Sequence, residues 1–200
     1  MDALKLLKQD HRTVEELFTK FDALTARAIK QRKELAGRIV KELAVHASIE
    51  EQGFYPVIRK KSDELNGLVL EALEEHHVVK WLIFEIDNLP SDAERFMAKV
   101  KVLMENVRHH VKEEEKDLFP RVRKVMNREE LDGLGEELAR LKKVAPTHPN
   151  PHASQEPAGR SDQGAERSAR ESDAALERGR RVLPQQLAAR KVRPQRQRGK

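Results

Sequence analysis

The chain has 200 residues, of which 38% are hydrophobic, 36% charged and 4% aromatic, enough for one domain of ordinary size with extensions. It contains no cysteine, which excludes disulfides, thiolate metal ligands and a cysteine nucleophile and leaves nitrogen and oxygen donors. The formal charge of +5 is unevenly placed: residues 144–200 hold 12 Lys and Arg against 6 Asp and Glu, so the remainder is nearly neutral.

Apolar residues at helical spacing predict helices near 2–28, 32–60, 65–88 and 92–125, with a shorter one at 128–143. Met1–Lys8 has neither the apolar stretch nor the cleavage pattern of a secretory leader, and no run has the length of a bilayer span. A cytoplasmic protein with no membrane association is expected. Asn66-Gly67 is a weak turn signal near the start of the third helix. Leu89-Pro90-Ser91 separates the third helix from the fourth, and Ser91 with Glu94 has the spacing of a capping box. Asn127 with Glu130 has the same donor-satisfying pattern for the fifth helix. Pro56 and Pro120 are expected to kink or end their helices. Short connections between long helices imply antiparallel neighbours. The predicted fold is therefore all-α, an antiparallel up-down four-helix bundle over 1–143 with a short fifth helix.

Residues 144–200 carry six of the nine prolines and no Phe, Tyr or Trp. Such a segment cannot bury enough apolar area to offset chain entropy, and it is expected to be a disordered basic tail, with His148 and His152 solvated. Nine basic residues and no acid lie in 178–200. That run is either a solubilising extension or a salt-sensitive contact for nucleic acid or another polyanion.

The chain repeats itself. His46-Ala-Ser-Ile-Glu50-Glu51 followed by Tyr55-Pro56 returns 64 residues later as His110-Val-Lys-Glu-Glu114-Glu115 followed by Phe119-Pro120. Leu4, Leu7, His11, Val14 and Phe18 return 65 residues later as Val69, Ala72, His76, Val79 and Ile83. A His-x3-Glu pair lies one helical turn apart on nearly one face. In the second and fourth helices the residues Ile39, Leu43, His46, Glu50 and Leu103, Val107, His110, Glu114 follow the 4-3-4 steps of an inward seam. Four histidines and two glutamates thus occupy positions where leucine would ordinarily pack. Burying carboxylates among aliphatic side chains is costly without a counter-charge, and a pair of metal cations supplies one. Imidazole and carboxylate donors suit iron, manganese or zinc, and this donor set favours a di-iron centre.

These elements together resemble the hemerythrin-like HHE cation-binding family. The resemblance covers residues 1 to about 125 and rests on Asp10-His11, His46-x3-Glu50-Glu51 with Tyr55-Pro56, Glu75-His76, and His110-x3-Glu114-Glu115 with Phe119-Pro120. It implies a four-helix bundle around a carboxylate-bridged, non-haem di-iron site. His11, His46, His76 and His110 would be terminal ligands, and Glu50 and Glu114 would bridge the irons. Oxygen-carrying members have a histidine four residues after the third-helix ligand, where this chain has Lys80. Either one iron keeps a solvent position or another side chain fills it. The expected partner is a small ligand (O2, peroxide or NO), and three roles stay open: a binder or sensor, a peroxide- or NO-metabolising enzyme, or an iron- or oxygen-responsive interaction module.

Helical phase separates these residues from their neighbours. Glu51 lies about 140° round the helix from His46, and Glu115 likewise from His110, so both are expected as outer or surface acids. His77 and His109 adjoin proposed ligands but turn about 100° away and read as partly exposed. Tyr55 aligns with Phe119 and reads first as core packing, with a hydrogen bond to bound oxygen as the alternative. Trp81 reads as a packing residue.

Overall fold

The computed structural model describes residues 1–25 and 27–148. Among them there is helix but no strand: α1 (Ala3–Asp22), α2 (Ile29–Ile49), a π-helical turn π1 (Glu50–Phe54), α3 (Tyr55–Ile58), α4 (Asp63–Asp87), α5 (Phe96–Glu113), a second π-helical turn π2 (Glu114–Leu118), α6 (Phe119–Val125) and α7 (Arg128–Val144). The run α2–π1–α3 is one long rod, as is α5–π2–α6, and with α1 and α4 these make the four-helix bundle. No described helix is long and apolar enough to cross a membrane. The tail expected from 144 onward falls almost wholly outside the described residues, as does His152; α7 continues through Val144.

Local chemistry explains most of the helix starts. Asp2 caps α1 by accepting from the Lys5 N–H, and Ser62 caps α4 by accepting from the Leu65 N–H. The Ser62 cap carries Asn66-Gly67 inside α4, so the turn signal read there is overruled. Asn127 and Glu130 form the expected reciprocal capping box of α7. The one expected at Ser91 and Glu94 is absent: those residues lie in turns, and α5 starts at Phe96 without a side-chain cap. The first helix also ends earlier than predicted, at Asp22.

Pro56 and Pro120 do not end their rods. Each follows a π-helical turn, in which the Tyr55 and Phe119 N–H groups reach back five residues to the Glu50 and Glu114 carbonyls. The widened turn accommodates a residue that has no N–H to offer the four-residue ladder.

The core is split in two. One apolar cluster gathers Leu4, Leu7, Ile49, Phe54 and Phe119 with Leu131, Leu134 and Leu138 of α7. The other gathers Phe18, Phe21, Ile39, Val79, Ile83 and Leu103. The phased histidines and glutamates lie along the rods between these clusters, so apolar packing closes the polar layer at both ends. Helix α7 packs on α1, α2 and π1. It covers the outer face of α2, where every residue from Leu43 to Ile49 is buried.

Candidate metal centre

All six residues of the predicted seam are buried: His11 (5% exposed), His46 (6%), Glu50 (0%), His76 (4%), His110 (4%) and Glu114 (2%). Their donor atoms converge. His11 and His46 bring their Nε2 atoms to 3.2 Å, and His76 and His110 bring theirs to 3.1 Å. Glu50 Oε2 lies 3.2 Å from His46 Nε2 and 3.4 Å from His76 Nε2, so this carboxylate spans the two imidazole pairs. Glu114 Oε2 spans them from the other side, 3.2 Å from His11 Nε2 and 3.6 Å from His110 Nε2. Donors of His11, His46, Glu50 and Glu114 form one group compact enough to hold an ion, and those of Glu50, His76 and His110 form another.

The outer faces of the imidazoles are held by a second set of acids. Glu115 Oε1 lies 2.8 Å from His11 Nδ1, Glu51 Oε1 lies 2.9 Å from His76 Nδ1, and Glu75 Oε2 lies 2.7 Å from His110 Nδ1. Asp10 Oδ2 stands farther from His46 Nδ1, at 3.8 Å, with Lys142 of α7 paired to its other oxygen. A carboxylate beside Nδ1 keeps the proton on that nitrogen and turns the Nε2 lone pair inward. Two of these three holds cross between the repeats, while Glu75 and His110 both belong to the second. Glu51, in the first repeat, orients His76 of the second; Glu115, in the second, orients His11 of the first. Sequence phase placed Glu51 and Glu115 correctly as off the seam; their partners, and the matching roles of Asp10 and Glu75, depend on which helices adjoin.

Lys80 does not aim at the centre. Its buried ammonium lies 2.6 Å from Glu51 Oε2, so it steadies the acid that steadies His76. Tyr55 does aim at the centre, and this corrects the preferred reading of it as packing alone. Its ring is 1% exposed, its hydroxyl donates to Glu114 Oε1 at 3.0 Å, and that hydroxyl stands 3.5 Å from His76 Nε2. In an α-helix a residue five beyond Glu50 would be about 140° away from it; the wider π-turn, closed by the Tyr55 N–H on the Glu50 carbonyl, brings Tyr55 back toward the seam. Phe119 takes the equivalent place in the other half, stacked on His11 with centroids 5.9 Å apart. His77 is half-buried and accepts from the Trp81 indole N–H at 3.1 Å, and Trp81 is 38% exposed, more than a core residue would be.

Electrostatics distinguish the two glutamates. Burial, reinforced by the facing Glu114 carboxylate, pushes Glu50 well above the ordinary range. Burial acts on Glu114 too, but His110 and His11 outweigh it and hold this acid well below the ordinary value. Without a cation a proton on this pair therefore favours Glu50, and the charge favours Glu114. Burial also lowers His46, to about 4, against the pull of Asp10. His11 is raised: burial works against its charged form, and Glu114, Glu50 and Glu115 prevail. Tyr55 is pushed up by burial and by Glu114 and Glu50, which keeps its phenol protonated.

The donor set fits a pair of cations. Both oxygens of Glu50, and Glu114 Oε2, are buried and accept no hydrogen bond, a costly arrangement for carboxyl oxygens. In the second pair, both Nδ1 atoms are taken up by acids, which leaves the two Nε2 atoms crowded against each other at 3.1 Å. An electron-pair acceptor between them resolves that conflict.

A buried set of four imidazoles and two carboxylates, drawn from four rods of a helical bundle, defines a cation-binding protein. The chain belongs to the hemerythrin HHE cation-binding domain family, whose model matches residues 2–122. It is 30% identical over 121 residues to a hemerythrin-like protein of Schizosaccharomyces pombe, covering 60% of each chain. It is also 30% identical over 132 residues to a DNA nickase of Nostoc, covering 66% of this chain and 36% of that one. The chain thus spans less than two thirds of the length of these relatives. The fold is shared with the crystal structure of a hemerythrin HHE cation-binding domain-containing protein from Mycobacterium kansasii, with a TM-score of 0.63 and 23% identity, over 72% of this chain and 86% of the other.

Proposed function

We propose that this is a cytoplasmic, non-haem di-iron protein that binds or senses a small oxidant or diatomic ligand: O2, peroxide or NO. The observation that carries the reading is the enclosed site itself, with four inward Nε2 atoms, two spanning carboxylates and one phenol at the same layer. His11 and His46 would hold one iron and His76 and His110 the other, with Glu50 and Glu114 shared between them. Bound iron would supply a redox-active Lewis acid in a site from which bulk water is excluded.

The protein's own groups do the rest. Glu115, Glu51 and Glu75 fix the imidazole tautomers and raise their basicity. Lys80 occupies the place of a fifth histidine without offering a lone pair to the centre, which argues for chemistry other than simple oxygen storage. Tyr55 places a hydroxyl proton beside Glu114, where it can be donated to a bound ligand. An opening of about 430 Å³ beside His11, walled by Val14, Phe18, Val107 and Val111, is wide enough for a small neutral molecule to approach.

The test is metal content per chain by elemental mass spectrometry on protein from iron-replete cells, followed by anaerobic titration with O2, peroxide and NO. About two irons per chain and a ligand-dependent absorption change are expected. A folded protein that neither carries nor takes up metal would refute the proposal. The Tyr55 phenol favours a second reading, a peroxide- or NO-metabolising enzyme, and multiple turnovers under peroxide separate it from a binder. A third reading, an interaction module, draws on the basic run 178–200 and on the Nostoc relative described as a DNA nickase. Removing 149–200 would then abolish polyanion binding and leave ligand chemistry intact.

A further inference from the structure

Two openings of opposite charge flank α5. The one beside His11 has Arg12, Arg108, Lys112 and Lys116 around it, against Glu15 and Glu115. Glu15 is engaged by Arg108 at 2.8 Å, and Glu115 is taken by His11 and Lys8. The second is a cleft of about 130 Å³ between α4 and the α5–π2 segment, and it ends at His110 and Glu114. Glu71, Glu75, Glu113 and Asp117 line it. The arginine in that cleft, Arg121, donates to Glu64 at 2.8 Å and to the Asp117 carbonyl at 3.4 Å.

Outside the cleft's lining, the exposed His109 meets two of these acids. Its Nε2 lies 3.2 Å from Glu113 Oε1 and 3.6 Å from Glu75 Oε1, and the three donors lie within 4.8 Å of one another. Glu75 faces two ways, with Oε1 toward His109 and Oε2 on His110 Nδ1. At the inner end stands Glu114, 2% exposed, with an Oε2 that accepts no hydrogen bond.

We propose that divalent metal reaches the buried centre through this acidic cleft, and that Glu75, His109 and Glu113 form an outer holding site on the way. The inference rests on reading the buried cluster as a metal centre. A hydrated dication cannot cross an apolar wall, because losing its water shell without replacement is prohibitive. Donors spaced a few ångströms apart replace the shell in steps. A cleft lined by one sign of charge with low-dielectric walls also concentrates the matching ion and raises its on-rate. A nitrogen and two carboxylates suit a transition-metal dication. The basic opening on the far side of α5 disfavours the same ion and leaves that side to neutral or anionic ligands.

The test is the loading of metal-free, full-length protein with Co(II), followed by stopped-flow absorption of the bound ion at low ionic strength. Three proteins are compared: the wild type, a His109→Ala/Glu113→Gln variant, and an Arg12→Gln/Lys112→Gln variant of the opposite opening. The first variant should load at least about fivefold more slowly, within the range over which charge steering acts, and reach the same final cobalt content in the centre. Its deficit should shrink as salt rises, while the second variant loads at least as fast as wild type. Equal rates for wild type and His109→Ala/Glu113→Gln, or slow loading confined to the Arg12/Lys112 variant, would overturn the route while leaving the metal centre in place. A wild type that takes up no cobalt would overturn the metal centre and the route together.

Discussion

Glu50 and Glu114 occupy equivalent places in the repeat, yet replacing each by glutamine should have different effects on the metal-free protein. Glu114 is held ionised by His110 and His11, lies 3.2 Å from His11 Nε2 and accepts the Tyr55 hydroxyl at 3.0 Å. Glu114→Gln keeps the volume but removes the charge that His11, His110 and the Tyr55 hydroxyl face. Breaking one side of a buried pair costs about 3–5 kcal/mol, and for a domain of this size each kcal/mol moves Tm by roughly 2–4 °C. A fall on the order of 10 °C is expected. Burial and the facing Glu114 carboxylate push Glu50 toward its neutral form in the absence of metal. Glu50→Gln therefore removes a group already disfavoured as a charge and should change stability by less than about 1 kcal/mol. Both variants should lose the two-metal complement. Calorimetric melts of chelated protein at neutral pH, paired with metal analysis after reloading, read both effects. Equal destabilisation by the two substitutions would refute the assignment of the proton to Glu50.

Tyr55→Phe should leave packing intact, as Phe119 shows for the equivalent place, but strip a donor from a charged carboxylate. The loss should be roughly 1.5–3 kcal/mol in metal-free protein, and an unchanged Tm would contradict the hydrogen bond to Glu114. The metal-free protein should also weaken in acid through His46. Its folded value, about 4, lies below the ordinary 6.5, so the unfolded chain takes the proton first. Stability from this group is complete above pH 6.5 and disappears as pH falls through 4; the interval corresponds to roughly 3 kcal/mol. Urea unfolding between pH 4 and 7 should show that slope in wild type and a shallower one in His46→Gln. Metal removal is a further check. At a metal concentration about a thousandfold above Kd, loading should add roughly 4 kcal/mol, and identical melts with and without chelator would count against a site in the bundle. Gly135→Ala should disrupt the packing of α7, since a Cβ there would sit 2.1 Å from the Met1 carbonyl oxygen and 2.8 Å from the Ala3 nitrogen. Gly53→Ala meets only the movable ends of Leu138 and Leu141, so its Tm should fall less than that of Gly135→Ala; the reverse order would refute the close fit at the N-terminus.

The bundle and its polar seam were legible because period and repetition are one-dimensional signals. The 4-3-4 steps through His46–Glu50 and His110–Glu114 mark an inward face whatever the neighbours are. Tyr55 was harder to place because the phase argument assumes 3.6 residues per turn, and the π-turn breaks that assumption just after Glu50. Pro56, six residues past the carboxylate, was the available sign that the ladder changes there. Ser91 and Glu94 had the spacing of a cap, but a cap forms only where the helix begins, and this one begins at Phe96. Asn66-Gly67 failed as a turn signal because Ser62 nucleates α4 upstream of it. The acids on Nδ1 were the least legible, since their partners lie 25 to 104 residues away and are set by how the helices adjoin.

Those crossed acids bear on the order in which the chain is made. A nascent chain that has emerged only through Pro56 already presents His11, His46, Glu50 and Glu51, yet His11 lacks Glu115 and Glu51 lacks His76. The half made first holds two imidazoles with one of them unoriented, and only one of the two shared carboxylates. On the proposed reading, a nascent chain would complete its metal centre only after Glu115 has emerged to reach His11. A duplicated sequence has in this way become two halves that each hold a histidine of the other.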